Sequence, residues 1–303
     1  MPSPLSTEMR KSIHKETAPN PQPIQEQRKL WLDFAQTVAL APGTILKEEL
    51  IGGVQCLWVS GSKTNDDTSF ILYLHGGGLV DGAILTHREF ASRLSGTTGL
   101  PVLLVEYRLA PEYPFPAALD DALTVYRELI GSRSVDPGSI IFGGDSSGGG
   151  LVVSAMCRLR DQGTRLPKCA FTVSGVFDMT LSGESMKTRD ALDPCLSYAA
   201  LKGWIRYFED EPGLDDPLLS PLLGNLHGLP PMLIQVGEHE VWYDDSARLA
   251  TRIKASGGSV TLSVWDSMWH VWPMYNGLPE ATEAIEEIRD FIFQEEKHLF
   301  RNP

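Results

Sequence analysis

The sequence predicts an α/β protein with a mostly parallel central sheet flanked by helices on both faces. Three observations lead there. Short apolar runs such as Phe70–Leu74, Ser139–Phe142 and Pro231–Gly237 have the composition of strands buried on both sides. Segments with apolar residues at helical spacing alternate with these runs from residue 70 to residue 293, as chains of βαβ units do. The run Gly143-Gly144-Asp145-Ser146-Ser147-Gly148-Gly149-Gly150 then joins one such strand to a helix through a turn with little side-chain bulk.

Bulk properties narrow the function classes. A chain of 303 residues suffices for one large domain or two modest ones. At 42% hydrophobic and 21% charged, without an apolar run of membrane-spanning length, it reads as globular. The net charge of −13 disfavours nucleic acid and anionic membrane as partners. Met1 to Asn20 is polar, charged and proline-bearing and lacks the apolar centre of a signal peptide, so a cytoplasmic protein is expected. Cys56, Cys157, Cys169 and Cys195 show no metal-site spacing and are expected to be buried free thiols.

In chain order, residues 1 to about 24 read as a flexible arm. Gln25–Leu40 carries Leu30, Trp31, Phe34 and Val38 at helical spacing; such a helix either packs on the core or walls a pocket. Two antiparallel strands follow, around Thr44–Leu50 and Val54–Val59, turned by Gly52-Gly53, and then a polar loop from Ser60 to Thr68. The strand Phe70–Leu74 ends in His75-Gly76-Gly77-Gly78, whose bare backbone N–H groups suit a developing oxyanion. His75 is expected to brace that loop. Next come a helix over His87–Thr97, a strand over Val102–Tyr107, a helix over Ala117–Ile130, the strand ending at Phe142, a helix opening at Leu151 and a strand over Ala170–Val173.

From Asp178 to about Asn225 the alternation breaks, with a short aromatic helix over Leu201–Phe208. An insertion there, on the side where the strands end, would cover a site as a lid. The pattern resumes with the strand Pro231–Gly237, the helix Tyr243–Ala255, the strand Val260–Trp265, a loop holding His270 and a closing helix over Glu280–Phe293. The expected organisation is an N-terminal arm and cap helix (1–45), an α/β core (46–178 and 226–303) and a cap insertion (179–225).

The chemistry centres on Gly144-x-Ser146-x-Gly148, the spacing of a nucleophile elbow. A phosphate-binding P-loop would continue with Gly-Lys-Ser/Thr, and none follows. A serine needs a base within hydrogen-bond reach, and the base needs a carboxylate to hold its tautomer. Ser146, Glu240 and His270 occur in the order such a strand-to-helix elbow requires. Asp244 and Asp245, one helical turn past Glu240, are rivals for the acid position. Trp31, Phe34, Trp204 and Phe208, with Leu79 and Met186, are expected to line a modest apolar pocket.

Four motifs together carry a family resemblance: His75-Gly76-Gly77-Gly78, Tyr107-Arg108-Leu109-Ala110-Pro111-Glu112 with its continuation to Asp121, Gly144-Asp145-Ser146-Ser147-Gly148-Gly149, and His270-Val271-Trp272. Over roughly residues 45 to 295 the chain resembles the hormone-sensitive-lipase-like carboxylesterases of the α/β-hydrolase fold. The resemblance implies Ser146 as nucleophile, His270 as general base and Glu240 as orienting acid, with oxyanion donors at the N–H groups of Gly77, Gly78 and Ser147. It implies Glu112 and Asp145 as structural supports and no cofactor or metal. The substrate would be a small-molecule ester with a short to medium acyl chain or a compact hydrophobic body. Family members often dimerise through a late strand and helix, which makes Val260–Trp265 and Glu280–Phe293 the candidate homodimer surface. Two residues depart from the pattern: Ser147 stands where the family usually has alanine, and Glu240 where it usually has aspartate. Other readings are a pathway-specific hydrolase or acyltransferase (deacetylase, lactonase, thioesterase), or a non-catalytic receptor like the gibberellin receptors, which lack the histidine present here as His270.

Overall fold

Eight strands form one sheet in the order β1-β2-β4-β3-β5-β6-β7-β8. They are β1 (Ile45–Ile51), β2 (Val54–Ser60), β3 (Phe70–Leu74), β4 (Val102–Val105), β5 (Ile140–Asp145), β6 (Cys169–Val173), β7 (Met232–Gly237) and β8 (Val260–Trp265). The computed structural model describes residues 2–13, 15, 23–64, 69–208 and 213–299. Parts of the expected arm (14, 16–22) and of the polar loop (65–68) lie outside them. The first hairpin and the β2–β4 pair are antiparallel, and every later pairing is parallel.

Helices cover both faces: α1 (Pro4–Ser12), α2 (Ile24–Thr37), α3 (Ile84–Thr98), α4 (Ala117–Ile130), α5 (Ser146–Asp161), α6 (Ser185–Thr188), α7 (Tyr198–Ile205), α8 (Tyr243–Ala255) and α9 (Pro279–Leu299). Strand side chains alternate between faces, so each central strand feeds two cores. Phe70, Leu72 and Leu74 of β3 join α4, α5 and α8 on one side. Ile71 and Tyr73 join α3 and α9 on the other. Both faces being apolar explains why these strands read as unbroken apolar runs. No helix among the described residues is long and apolar enough to cross a membrane.

Two expectations are corrected. The N-terminal arm is not wholly flexible, because α1 is an ordered helix. Ser3 caps it by accepting from Ser6 N–H, and the Ser3 backbone N–H donates to Glu280 on α9 at 2.5 Å. Arg10 reaches His239, the Ser267 carbonyl and the Leu192 carbonyl. A polar helix thus owes its order to partners far along the chain. The helix after the glycine run starts at Ser146 and not at Leu151, so Gly148, Gly149 and Gly150 form its first turn. A Cβ on Gly148 would overlap the carbonyl oxygens of Leu74 and His75. The glycines therefore let α5 lie directly on the end of β3, which outweighs their poor helix propensity.

Candidate active site

The tight β5-to-α5 junction forces Ser146 into the left-handed region, φ +49°, a conformation costing roughly 1–3 kcal/mol for a non-glycine residue. It aims the side chain away from the sheet, and Ser146 Oγ lies 3.0 Å from His270 Nε2. His270 follows β8 and is buried with Glu240, which follows β7. The ring's other nitrogen, Nδ1, donates to Glu240 Oε2 at 3.0 Å. Glu240 Oε1 accepts from Gly237 N–H at 2.6 Å and from Ser174 Oγ at 2.7 Å. Ser174 Oγ in turn accepts from Val271 N–H at 2.9 Å, which pins the residue next to the histidine. Burial opposes a charged His270 ring, but the hydrogen bond and charge of Glu240 outweigh it and hold its pKa above the ordinary histidine value.

The rival acids are placed elsewhere. Asp244 accepts from Ser185 N–H at 2.8 Å. Asp245 accepts from the N–H groups of Phe177 and Asp178, both at 2.8 Å. Among the three candidates, Glu240 alone lies within hydrogen-bond reach of His270.

The glycine loop after β3 is held from several sides. Gly76 N–H donates to Asp145 Oδ1 at 3.0 Å, and Tyr73 Oη donates to the same oxygen at 2.9 Å. His75 Nδ1–H donates to the Gly76 carbonyl at 2.8 Å. Its pKa is pushed down to about 3 by burial and by the neighbouring His87, so the ring is neutral and braces the loop. Val80 and Asp81 N–H groups donate to the Gly77 carbonyl at 3.2 and 2.8 Å. Among the described residues, no protein acceptor meets the N–H groups of Gly77, Gly78 or Ser147. Glu112 pairs with Arg28 of α2 at 2.9 Å, which ties α2 over this loop.

The six expected pocket residues separate into three groups. Leu79 is in the loop itself, and the Trp204 indole covers Gly78 so closely that a Cβ there would sit 2.8 Å from the ring. Trp31 and Phe34 share the α2 face that buries Ile24, Gln27 and Ala35, yet are 53% and 61% exposed; their rings meet edge-on at 6.4 Å. Met186 and Phe208, at 0% and 2% exposed, are packed in the core and present no surface to a ligand.

A family model described as alpha/beta hydrolase fold matches residues 71–274. The chain belongs to this family. A Streptomyces hygroscopicus protein named acetyl-hydrolase is 38% identical over 88% of this chain and 89% of its own length. An esterase from Acinetobacter venetianus is 36% identical over 74% of each chain. Among solved structures, EstE5 soaked with p-nitrophenyl butyrate superposes with a TM-score of 0.90 at 36% identity, covering 97% of this chain and 99% of that one. An esterase of the bacterial hormone-sensitive lipase family gives 0.86 at 36% identity, covering 95% and 94%.

Two features of this α/β-hydrolase escaped the sequence reading. One is Ser174, marked only by its place at the end of β6. The other is Asp193, a buried carboxylate in the segment before α7. It accepts from Cys195 N–H at 2.8 Å, Leu196 N–H at 3.1 Å and Val241 N–H at 3.0 Å, which fastens the insertion to the residue following Glu240. Asp245 also has a measurable signature. Burial, with Asp178 nearby, pushes its pKa up to about 8. The folded hydrolase therefore keeps a proton that the unfolded chain releases near pH 4, and stability contributed by this group falls as pH rises from about 4 to about 8. Asp245→Asn is expected to flatten the decline of Tm across that interval. An unchanged pH dependence of Tm would contradict the assignment.

Proposed function

We propose that this α/β-hydrolase is a serine carboxylesterase that acts through a Ser146–His270–Glu240 triad and an acyl-enzyme. The observation that carries the reading is the continuous hydrogen-bond line from Ser146 Oγ to His270 to Glu240, 3.0 Å at each step. His270 takes the proton of Ser146 Oγ as the oxygen attacks the ester carbonyl. The tetrahedral oxyanion is received by the N–H groups of Gly77, Gly78 and Ser147, which are free to donate. His270 then protonates the leaving alcohol, and a water activated by the same ring releases the carboxylic acid.

A short acyl group fits the arrangement best. Trp204 and Leu79 crowd the loop, and the exposed rings of Trp31 and Phe34 would form an apolar rim rather than a deep channel. The similarity to a protein named acetyl-hydrolase supports the same end of the range. Residues 179–225 and α2 would act together as a cap. A p-nitrophenyl ester series from acetate to palmitate tests this reading. Turnover should peak at acetate or butyrate and fall at least about 10-fold by palmitate, since a pocket too short for the chain loses its burial energy of roughly 0.8 kcal/mol per CH₂. Turnover rising toward long chains would reject the short-acyl assignment, and none on any ester would reject the esterase.

A further inference from the structure

His87 is a buried side chain that the proposed mechanism does not use. It stands in the first turn of α3, where the free backbone N–H groups of a helix disfavour a cation. Its ring is nonetheless oriented from both edges. Thr86 Oγ1 accepts from Ala83 N–H at 2.9 Å and gives its own proton to the Ala83 carbonyl at 2.8 Å. In its 2.8 Å contact with His87 Nδ1 the ring must therefore be the donor. The Ala83 carbonyl lies 3.3 Å from the same nitrogen. At the opposite edge, Nε2 lies 3.4 Å from Asp145 Oδ1 and 3.3 Å from the backbone nitrogen of Gly76.

Asp145 Oδ1 is thus the meeting point of the Tyr73 hydroxyl at 2.9 Å, Gly76 N–H at 3.0 Å and His87 Nε2. Asp145 is 2% exposed, and a carboxylate so deep in the protein needs a counter-charge as well as neutral donors. Among the described residues, the cation paired with it is His87. With a proton already on Nδ1, a neutral ring would turn a bare Nε2 toward the carboxylate and compete with it for Gly76 N–H. A protonated ring donates to Asp145 and leaves Gly76 N–H to the carboxylate alone. Burial opposes charge on the ring, but Asp145, the Ala83 carbonyl and Glu106 outweigh it and hold the His87 pKa above the ordinary histidine value. Asp81 faces the ring as well, and its neighbour His75, with ring centroids 5.3 Å apart, is neutral. The carboxylate in turn sets the place of the loop. A Cβ on Gly76 would overlap Asp145 Oδ2, so the first peptide of Gly76-Gly77-Gly78 lies directly against it.

We infer that His87 is a positioning residue that, through Asp145, fixes the Gly76 end of the oxyanion loop. The inference rests on the esterase reading above and adds to it a side chain outside the triad. Because Asp145 directly precedes Ser146, the same carboxylate joins the start of the loop to the nucleophile's own peptide. The ion pair therefore governs the spacing between the attacking oxygen and the oxyanion donors. A loop that moves by a fraction of an ångström loses little for a ground-state carbonyl. The developing oxyanion is more demanding, because its donors must sit about 2.7–3.1 Å away. Interactions needed only in the transition state appear in kcat and not in KM.

The experiment is steady-state hydrolysis of p-nitrophenyl butyrate by the wild type, Ser146→Ala, His87→Gln, Asp145→Asn and the His87→Gln/Asp145→Asn double variant, with Tm measured for each. Inhibition by an alkyl trifluoromethyl ketone, which forms a hemiketal oxyanion on the nucleophile, is measured alongside. His87→Gln keeps an N–H donor near the place of Nε2 but carries no charge. It should lower kcat about 10-fold with KM within about 2-fold, and weaken the ketone by the same factor. Asp145→Asn should lower kcat several-fold. The double variant leaves neither charge alone, so it should be no slower than the poorer single one and should melt above His87→Gln. Unchanged kcat in His87→Gln, a rise in KM alone, or a fall in Tm without a fall in kcat would overturn the inference while leaving a Ser146-dependent esterase intact. Losses that multiply in the double variant would do the same. If His87→Gln does not fold, Asp145→Asn, which keeps the side-chain shape and the bonds to Tyr73 and Gly76, carries the test, and unchanged kcat there overturns it. A wild type without Ser146-dependent hydrolysis would take both readings down together.

Discussion

Ser146→Ala is expected to lower kcat/KM for p-nitrophenyl butyrate by about 10⁴-fold or more, with Tm within a few degrees of the wild type. The size of the loss follows from the division of labour proposed for the site. Without the nucleophile, the oxyanion donors and the apolar rim still bind ester, but only free water can attack, and no acyl-enzyme divides the reaction into two easier steps. The small effect on stability follows from the local structure. Among the described residues Ser146 Oγ has one hydrogen-bond partner, His270 Nε2, and the left-handed backbone at this position is held by the packing of α5 against β3 rather than by the hydroxyl. Alanine meets the same backbone strain. The check is kinetic, with circular dichroism to confirm the fold. Residual turnover above about 1% of wild type, not removed by further purification, would show that another group performs the attack.

Glu240→Gln is expected to cost about 10³–10⁴-fold in kcat with little change in KM. Glutamine fills the same space and can still accept from Gly237 and Ser174 through one oxygen. Its amide nitrogen would then face His270 Nδ1, where a donor meets a donor and the ring must turn over its tautomer or its plane. Either change takes the bare nitrogen away from Ser146. The pH profile gives an independent reading. His270 acts as a base only when neutral, so activity falls as pH drops through its pKa, which Glu240 holds above the ordinary value of 6.5. Without that carboxylate, burial is opposed only by the charges of Asp193 and Asp145, so the pKa falls and the acid limb of kcat/KM should move to lower pH in the residual activity of Glu240→Ala. Asp244→Asn should leave turnover within about 3-fold, since that carboxylate is occupied by Ser185 N–H. Near-normal turnover in Glu240→Ala with loss in Asp244→Ala would reverse the assignment.

The alternation of strands and helices was legible because a sheet buried on both faces leaves few polar positions in its central strands, such as Thr172 and Gln235. The convergence of Ser146, Glu240 and His270 was legible for a different reason: Ser146 directly follows β5, Glu240 and His270 lie in the loops after β7 and β8, and the ends of parallel strands lie side by side whatever separates them in sequence. Features that depend on distant partners were not. The helix over Pro4–Ser12 is polar, and its docking relies on Glu280, His239 and Ser267. Gly148, Gly149 and Gly150 argue against a helix by propensity, while the backbone they approach demands one. Met186 and Phe208 were expected at a pocket from their chemistry, but apolar side chains in an insertion serve equally to bury it against the core. Ser174 and Asp193 are single polar groups with no periodic signature, so only the assembled structure places them.

The parallel order of β3 to β8 also bears on how the chain reaches its active form. Pairs such as Leu72 with Phe142 and Gly144 with Thr172 join segments separated by whole crossover units, and each closure costs chain entropy before its contacts form. Ser146 and His270 are 124 positions apart, and β6 and β7 must dock before β8 can carry the histidine to the serine. Catalytic competence is therefore among the last properties to appear during refolding, after most helix content and much of the collapse. Until then the unpaired edges of β5, β6 and β7 are open to one another across molecules. The yield of active protein from expression or refolding is thus governed by temperature, chain concentration and chaperone supply as much as by the chemistry of the site.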